Sequence, residues 1–484
     1  MQYKVVAVKQ QGIEALAERV RMGGYKFVKF VFSDNDGQAQ CRRVPAKWAT
    51  LDHLKEGIGF DSSSHRLELG RTVDSDLALR PIANFGTENP FTTFDDLFSR
   101  DKTLNVVVEV CDPKTGLPHR SDPREVVVRA EKSLEKLIGT GAVAIVGTES
   151  EGFVFNKVEA HLGHYGSMSK ITSNEFSDAA EPESRKPVMK PNGGYTPAGP
   201  EDSTSEWRAK TVSYLEILGF EMELDHHEVA AGQFEFGVRC SKMLQNADGL
   251  LEFRLVVKQS AAEEDLEALF MPKPITGQNG SGMHVHISFQ RCGINLFAGE
   301  DGELSKMGQM AMAGLMKYGR EIAAFTNSTV NSYLRLVPGF EAPTRLAWGH
   351  ANRSAALRIP NVPDHSPGAI RFEYRAPDGA GSPHLALAAI QMAMLAGIRE
   401  ELKLPKSVDG INLFHEDAPY HIDELPGSLG SALDILEANH AFLLEDGVFT
   451  EDFIKHYIAM KREEVRVVDK GSVPPSHLYY YRNR

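Results

Sequence analysis

The sequence predicts an α+β protein with a small N-terminal domain and a larger second domain. Near the N-terminus, a helical pattern precedes a strand, a turn and a returning strand. The Pro- and Gly-rich segment CDPKTGLPHRSDP, which begins at Cys111, is the best candidate for a linker. We therefore place the domains at residues 1–117 and 118–484. Beyond the linker, helical and strand patterns alternate irregularly, without a repeat of 20 to 50 residues.

The elements of the first domain follow from apolar spacing and from the residues that end each run. Residues 13–22 have helical spacing, and Gly23 ends the helix. Segments 25–33 and 38–46 are predicted as strands joined by the turn signal DNDG. A further β-rich stretch covers 103–110. Together these patterns indicate a helix packed on a sheet.

In the second domain, Asp122-Pro123 predicts a helix start, with an acid at the N-cap and proline at the first helical position. We expect this helix to run to Leu137. The apolar run 385–398 is interrupted by Gln391 and is too short to span a bilayer, so we interpret it as a buried helix. The polar segment 158–203 is rich in Gly and Pro and is predicted to be a long surface loop.

Composition and charge exclude several classes of function. The chain has 484 residues, 42% of them hydrophobic and 25% charged, with a formal net charge of −13 spread along the sequence. This acidity argues against nucleic-acid and anionic membrane partners. The N-terminus has no apolar stretch of signal-peptide length. The cysteines are far apart and predict reduced thiols, hence a cytoplasmic protein; they are Cys41, Cys111, Cys240 and Cys292.

Two histidines lie two residues apart in the β-prone run from Asn279 to Phe289. In a strand, His284 and His286 point to the same face. The run begins with a polar loop whose glycines, including Gly280, let the backbone approach a ligand closely. An isolated pair of this kind is more often one buried and one exposed histidine than a binding site. Other parts of the sequence are therefore needed to distinguish the two.

Acidic residues recur with the same period of two in other strand-like segments. Glu149 and Glu151 share one face, and Glu373 lies between Arg371 and Arg375 on another. Two carboxylates at about 4 Å repel by roughly 4 kcal/mol at an effective dielectric of 20, so such pairs need a proton or a cation. The segment MELDHHEVAAGQFEFGVR adds three more acids, Glu223, Glu228 and Glu235. Any one of these acids alone would be expected on a solvent-exposed face of a strand. Together with the histidines, however, the acids predict a site for Mg²⁺ or Mn²⁺.

A second group of residues is basic. NSYLRLVPGFEAP contributes Arg335 and Glu341, and WGHANRSAALRIP contributes Arg353 and Arg358. Singly, each arginine would be expected in a surface ion pair, but as a set they could bind carboxylate and phosphate groups in bidentate fashion. Metal-binding acids beside arginines suit phosphoryl transfer. The chain has no Gly-Lys dipeptide and hence no P-loop, so a nucleotide would be bound by a less common fold.

Five segments, taken with their separations, closely resemble the signature segments of type I glutamine synthetase. They are NGSGMHVHIS, HHEVAAGQFE, NSYLRLVPGFEAP, NRSAALRIP and RFEYRAPD. The resemblance covers nearly the whole chain and favours the branch that is not adenylylated, because Phe414 stands where the modified tyrosine would be. It implies an N-terminal β-grasp domain, a catalytic domain with a curved antiparallel sheet flanked by helices, and a homo-oligomer of two stacked hexamers with active sites between subunits.

The resemblance also implies roles for individual residues. Six residues match ligands of two divalent cations: Glu149, Glu151, Glu228, Glu235, His284 and Glu373. Residues matching the glutamate site are Glu151, Asn279, Gly280, His284, Arg335 and Arg375. Residues matching the ATP site are Glu223, His286, Ser288, Arg353, Arg358 and Arg371. Three residues match catalytic positions: Asp61 for ammonium, Glu341 on a flap over the intermediate, and Arg353 at the phosphates.

The reaction implied by this resemblance joins ammonia to the γ-carboxylate of glutamate through a γ-glutamyl phosphate, with ATP as phosphoryl donor and Mg²⁺ or Mn²⁺ as cofactor. Two alternatives stay open. The loop after Asp61 departs from the family pattern at Ser62 and at 65–70, and Trp348-Gly349-His350 is reminiscent of putrescine-ligating relatives, so a larger amine could be the acceptor. The histidines and acids alone would also suit a metal-dependent hydrolase, which would need no ATP.

Overall fold

The computed structural model describes residues 12–62, 76–82, 92–163, 166–176, 189–362, 366–415, 420–468 and 475–484. The helices in these ranges are α1 (Ile13–Met22), α2 (Leu51–Glu56), α3 (Pro123–Ile138), α4 (Ser205–Ile217), α5 (Met243–Glu263), α6 (Lys306–Tyr318), α7 (Ala323–Thr326), α8 (Ser332–Arg335), α9 (Pro383–Arg399), α10 (Leu429–Ala438), α11 (Glu451–Val467) and α12 (Pro475–Tyr481). No helix in the described ranges is long and apolar enough to cross a membrane.

The strands in the same ranges are β1 (Phe27–Ser33), β2 (Ala39–Pro45), β3 (Ile58–Asp61), β4 (Asp76–Pro81), β5 (Thr93–Asp95), β6 (Thr103–Cys111), β7 (Ala142–Phe155), β8 (Lys157–Gly163), β9 (Gly166–Thr172), β10 (Met222–His227), β11 (Gln233–Val238), β12 (Ser241–Lys242), β13 (Glu267–Leu269), β14 (Met283–Arg291), β15 (Ile294–Asn295), β16 (Trp348–His350), β17 (Leu357–Ile359) and β18 (Phe372–Tyr374). With the helices, they form an α+β fold built around two sheets.

The N-terminal sheet has the strand order β2-β1-β6-β4-β3, and β5 pairs with β6. Its central pair, β1 and β6, is parallel, whereas the hairpin partners β1 and β2 are antiparallel. Helix α1 buries Leu16 and Val20 in a core with Val28, Phe30 and Val106 from these strands. The predicted helix and strands of this region are therefore confirmed, and the period-two apolar pattern of β1 is the reason that one of its faces is buried.

The larger sheet positions the candidate site. Its strand order is β10-β11-β7-β14-β18-β17-β16, with β12 and β13 added to β7 and β15 added to β14. The pairs are antiparallel except for β16 and β17, which are parallel. In the first nine residues of β7, buried and half-buried side chains alternate. The buried set belongs to the main hydrophobic core with residues of α3, α5 and α9, which leaves Glu149 on the half-buried set.

Two predictions about the second domain have different outcomes. The buried helix predicted over 385–398 is confirmed by α9, in which Leu385 to Gly397 are all buried. The surface loop predicted over 158–203 is wrong in its first part, because β8 and β9 form an antiparallel hairpin. Most residues of β9 are exposed, so the segment lacks the apolar alternation that would have identified a strand. Residues 164–165 and 177–188 of this segment lie outside the described residues.

The domain boundary proposed between residues 117 and 118 falls between the end of β6 and the start of α3. The Asp122 carboxylate connects the two elements. It accepts a hydrogen bond from Arg124 N at the start of α3, at 3.0 Å, and another from Val110 N in β6, at 2.9 Å. Asp122 is 2% exposed, so loss of either bond would leave a buried N–H without its partner.

We expect Asp122→Ala to lower the free energy of unfolding by about 2–3 kcal/mol, because it removes both a helix cap and a bond to the neighbouring sheet. Urea denaturation followed by circular dichroism measures this loss. Thr450→Ala is the matched control, since Thr450 caps α11 by accepting from Phe453 N and bonds to no neighbouring sheet among the described residues. Its expected cost is about 1 kcal/mol. Equal losses in the two variants would contradict a joining role for Asp122.

Candidate functional site

Glu149 lies between the two histidines of β14. His284 is directly opposite Glu149 in the β7–β14 pair, and His286 is opposite Gly147. His284 Nδ1 lies 2.9 Å from Glu149 Oε2, and His286 Nε2 lies 2.9 Å from Glu149 Oε1. The two imidazoles therefore share one face of the sheet, as their spacing predicted. Although burial acts to raise the pKa of Glu149, the bonds from both histidines hold that pKa well below its usual range.

A first group of possible metal ligands forms where β18 joins this pair. Glu373 is opposite His286 in the β14–β18 register and is completely buried. One ligand atom each from Glu149, His286 and Glu373 lie within 4.8 Å of one another. His284 Nδ1 also lies 3.4 Å from Glu373 Oε1, so both histidines border this group.

A second group lies at the end of β10 and on β11. One ligand atom each from His226, Glu228 and Glu235 lie within 4.8 Å of one another. Burial and the nearby Glu235 carboxylate raise the pKa of Glu228 to about 7. The Glu235 carboxylate, whose Oε1 lies 3.6 Å from His226 Nε2, is the main cause that raises the pKa of His226 to about 9. Two acids thus share a partly desolvated site, and a positive charge at this position relieves their repulsion.

Glu151 lies between the two groups. It is opposite Glu235 in the β7–β11 register, and its Oε1 lies 3.6 Å from His284 Nε2. Its Oε2 accepts hydrogen bonds from Gln233 Nε2 at 3.1 Å and from Gly282 N at 2.9 Å. Burial raises the pKa of Glu151, and the Glu228 charge adds to that effect. Five of the six residues predicted as metal ligands therefore lie on the strands β7, β11, β14 and β18, and the sixth, Glu228, directly follows β10.

The donor atoms of both groups suit hard divalent cations. Carboxylate oxygens outnumber imidazole nitrogens, and no cysteine belongs to either group. The burial of Glu373 and the raised pKa of Glu228 indicate that these acids are incompletely solvated. A bound divalent cation would compensate for the lost solvation. The residues present therefore fit one cation at each group. The structure favours His226 and His286 as members of these groups, in addition to the predicted His284.

The glycine-rich loop before β14 packs against Arg335 at the end of α8. A Cβ at Gly280 would lie 2.5 Å from the backbone oxygen of Pro272, so only glycine fits there, and a Cβ at Gly282 would lie 2.5 Å from Arg335 Nη2. The buried Arg335 guanidinium donates to Ala376 O at 2.8 Å and to Arg375 O at 3.1 Å. Its position is therefore fixed by the backbone next to β18.

Asn279 and Glu341 meet beside this loop. Asn279 Nδ2 donates to Glu341 Oε2 at 2.9 Å. Glu341 is exposed and has φ of 58°, in the left-handed region that few residues other than glycine adopt. The strain is consistent with a functional position for this side chain.

The remaining predicted arginines surround the first group of acids. Arg358 Nε lies 2.5 Å from Glu373 Oε2, and Arg375 Nη1 lies 3.5 Å from Glu373 Oε1. Arg371 Nε donates to His286 Nδ1 at 3.2 Å. Arg353 is exposed, and the Tyr195 hydroxyl is the main cause that raises the pKa of Arg353, with the Glu373 and Glu149 carboxylates adding to that effect. Four guanidinium groups are thus placed next to the acids or to a residue that contacts them.

Three further residues that were predicted to belong to the site remain: Ser288, Glu223 and Asp61. Ser288 is buried in β14, two and four residues from the histidines and hence on their face of the strand. Glu223 is exposed in β10, at a break in the register with β11. Asp61 belongs to the N-terminal sheet, opposite Asp76, so the chain does not place it on the larger sheet. Of the departures after Asp61, residues 65–70 lie outside the described residues, whereas Ser62 is buried.

Sequence reasoning missed three residues of the site: His226, Gln233 and Tyr195. The first two had a usable signal, because His226 is two residues from Glu228 and Gln233 is two residues from Glu235. Period two places each of them on the face of its acid. Tyr195 had no such signal, because it lies in the segment interpreted as a loop. Its ring packs edge-on against His226, with centroids 5.6 Å apart.

The fold and the site together define an enzyme with a largely antiparallel sheet. On one face of this sheet lie residues that suit divalent cations, next to a set of arginines. The family model for the glutamine synthetase catalytic domain matches residues 120–479. The glutamine synthetase of Aquifex aeolicus is 40% identical over 93% of this chain and 95% of its own length. That of Vibrio alginolyticus is 37% identical over 97% and 99%. This chain belongs to the glutamine synthetase family.

Solved structures agree with this assignment. The Plasmodium falciparum glutamine synthetase superposes with a TM-score of 0.84 at 26% identity, covering 96% of this chain and 97% of that one. A structure titled GmaS/ADP complex gives a TM-score of 0.75 at 26% identity, covering 93% of this chain and 95% of its own. The fold is therefore that of glutamine synthetase, as the resemblance implied.

We expect Mg²⁺ or Mn²⁺ to raise the melting temperature of the protein and a chelator to lower it, because a bound cation offsets the repulsion among the clustered acids. Differential scanning fluorimetry with increasing cation measures the effect. Glu235→Gln should shift by less than half as much at the same cation concentration, since it removes one ligand charge. Glu221→Gln, at an exposed ion pair with Arg239, is the control and should respond like the wild type. Identical responses in all three proteins would contradict the metal assignment.

Proposed function

We propose that the chain joins ammonia to the γ-carboxylate of L-glutamate, with ATP as the phosphoryl donor, to give glutamine. As a glutamine synthetase family member it is an ATP-dependent ligase. The observation that carries the proposal is the meeting of three sets of residues on one sheet face. These are two groups of carboxylates with histidines, a fixed arginine beside a glycine loop, and arginines around Glu373. A hydrolase would need only the first set, so the arginines favour the ligase.

The reaction requires a carboxylate and a triphosphate to approach each other in spite of their negative charges. Divalent cations at the two acid groups supply charge neutralisation when bound. Arg335 is suited to the glutamate because its guanidinium is already held beside the loop that contains Gly280. Arg353, Arg358 and Arg371 are suited to the phosphates, because they lie around Glu373 and His286 and Arg can bind phosphate in bidentate fashion. The protein's main contribution is thus positioning and electrostatic stabilisation.

The intermediate, γ-glutamyl phosphate, must be protected from water until ammonia attacks. Glu341 is proposed to close over it, because it is exposed, adopts a strained conformation and contacts Asn279 at the glutamate loop. Asp61 is proposed to bind and deprotonate ammonium. Because Asp61 belongs to the N-terminal sheet, its placement at a site between subunits fits the proposed ring assembly of two stacked hexamers.

The cofactor is proposed to be Mg²⁺ or Mn²⁺, on the basis of the oxygen-rich donor groups. A cytoplasmic location is proposed for the protein. It is supported by the four cysteines, which are all free and separated along the chain.

The acceptor amine is the part of the proposal that most needs a direct test. Curated relatives named glutamine synthetase are 37–40% identical, which favours ammonia. A larger amine remains the second candidate, because Ser62 and the loop after it differ from the family pattern.

We expect glutamine to be the main product when glutamate, Mg²⁺ and ATP are supplied with low ammonium. The measurement is glutamate-dependent ADP release with ammonium, methylamine, ethylamine, putrescine or aniline, and the product is identified by mass spectrometry. Ammonium should give the highest kcat/KM. A higher kcat/KM for one of the larger amines would show that this amine, rather than ammonia, is the acceptor. ATP-independent hydrolysis would overturn the ligase assignment.

We expect Glu341→Ala to keep glutamate-dependent ADP release but to lose much of the amide product, because the unprotected acyl phosphate reacts with water. The ratio of glutamine to ADP, measured in the same reaction, should fall at least about tenfold. Glu341→Asp keeps the carboxylate and tolerates the left-handed backbone, so it should recover part of this ratio. An unchanged ratio in Glu341→Ala would contradict the flap assignment.

A further inference from the structure

Lys273 is a buried lysine beside the glycine-rich loop, and the proposed reaction assigns it no role. The residue is 4% exposed. Its ammonium lies 3.8 Å from the centroid of the Phe340 ring and donates a hydrogen bond to Gln278 O, immediately before the loop. In the described part of the chain no carboxylate pairs with this ammonium. The ring and the carbonyl oxygen are therefore the groups that compensate for its burial.

The backbone of Lys273 is fixed on both sides of its Cα. Lys273 N donates to Asn331 Oδ1 at 2.7 Å, and Asn331 Nδ2 donates to Lys273 O at 3.1 Å. Asn331 is completely buried and directly precedes α8, the helix that ends with Arg335. Lys273 is thus attached to the same support as the arginine proposed for glutamate.

Phe340 belongs to the flap, which is the segment 338–341. Phe340 is half-buried, whereas the other residues of the flap are exposed. Its neighbours Gly339 and Glu341 both have positive φ, 90° and 58°. Phe340 is neither a member of the described hydrophobic cores nor packed against them. Among the described residues, its ring contact is with the Lys273 ammonium, so this contact attaches the flap to the rest of the site.

Two successive residues of the flap thus contact the backbone and side chains around one loop. Phe340 lies on Lys273, and Glu341 Oε2 accepts from Asn279 Nδ2 at 2.9 Å. A cation over an aromatic ring attracts it more strongly when the cation is desolvated, as Lys273 is. We propose that Lys273 and Phe340 are positioning residues whose cation–π contact holds the flap against the loop and so keeps Glu341 over the intermediate. This inference rests on the proposed function, in which Glu341 excludes water.

The inference predicts that loss of either partner uncouples ATP use from amide formation. Lys273→Met keeps the apolar stem and removes the charge, and Phe340→Leu keeps an apolar side chain and removes the ring. Burial and the charge of Arg335 lower the pKa of Lys273 to about 8, so the ammonium is charged at pH 7. At this pH and saturating ammonium, the ratio of glutamine to ADP should fall at least about threefold in each variant. A merely less folded variant would lose both products in proportion and keep the ratio.

Conservative variants and a matched control accompany this measurement. Lys273→Arg keeps a cation and Phe340→Tyr keeps a ring, so both should retain most of the wild-type ratio. Lys102→Met removes the same two interactions in the N-terminal domain. There the ammonium lies 4.8 Å from the centroid of the Tyr25 ring and donates to Gly23 O at 2.7 Å. This control should leave the ratio unchanged.

The double variant Lys273→Met/Phe340→Leu tests whether the two residues act through one contact. Its ratio of glutamine to ADP should fall no further than that of the more affected single variant. Multiplicative effects, or an unchanged ratio in either single variant, would overturn the inference.

Limited proteolysis of the full-length proteins without substrates gives a readout that does not depend on ligation. Cleavage after Glu341 by a glutamyl endopeptidase, followed by mass spectrometry, reports the population of the open flap. It should be at least about threefold faster in Lys273→Met and Phe340→Leu than in the wild type and Lys102→Met. Faster cleavage in these variants, with no amide formed by the wild type, would refute the proposed function alone. Normal amide formation with equal ratios and cleavage rates in all proteins would refute the positioning role alone.

Discussion

The repulsion among carboxylates on one sheet face is the constraint on which the rest of the site depends. Glu149 and Glu151 lie on β7 and Glu373 lies on β18, on either side of β14, in a region where burial weakens solvation. Without a cation, the acids are compensated by hydrogen bonds from the histidines of β14 and by the guanidinium groups near Glu373. The fold thus keeps a cluster of acids together that water alone would not stabilise, and this cluster creates the affinity for divalent cations.

The two faces of the larger sheet have different functions. Alternate side chains of β7 pack in the main core with α3, α5 and α9. The side chains between them include the acids of the site. Because the period of a strand is two, the packing that buries Val146 also directs Glu149 into the site. Stability and function are therefore fixed by the same register, and a one-residue slip of β7 against β14 would destroy both.

Backbone contacts provide the rigidity that charged side chains alone would lack. Arg335 is held by carbonyl oxygens next to β18, and Gly280 and Gly282 leave room for it. On the other side of the site, His227 holds the segment 193–196 through Gly194 O. Arginine and tyrosine side chains lose conformational freedom when they bind a ligand, so prior fixation of this kind lowers the cost of binding phosphate and carboxylate groups.

The sequence alone predicted which residues share one face of a strand, because period two is a local property: His284 with His286, and Glu149 with Glu151. It also predicted the main helices, and the resemblance of five segments indicated the family. Which strands are neighbours depends on long-range packing. That packing places His226 beside Glu228 and Glu235, and it lets Gln233 and Gly282 donate hydrogen bonds to Glu151. Tyr195 could not be predicted as a residue of the site, because its ring contact with His226 joins separate parts of the chain, and such pairings leave no periodic signal in the sequence.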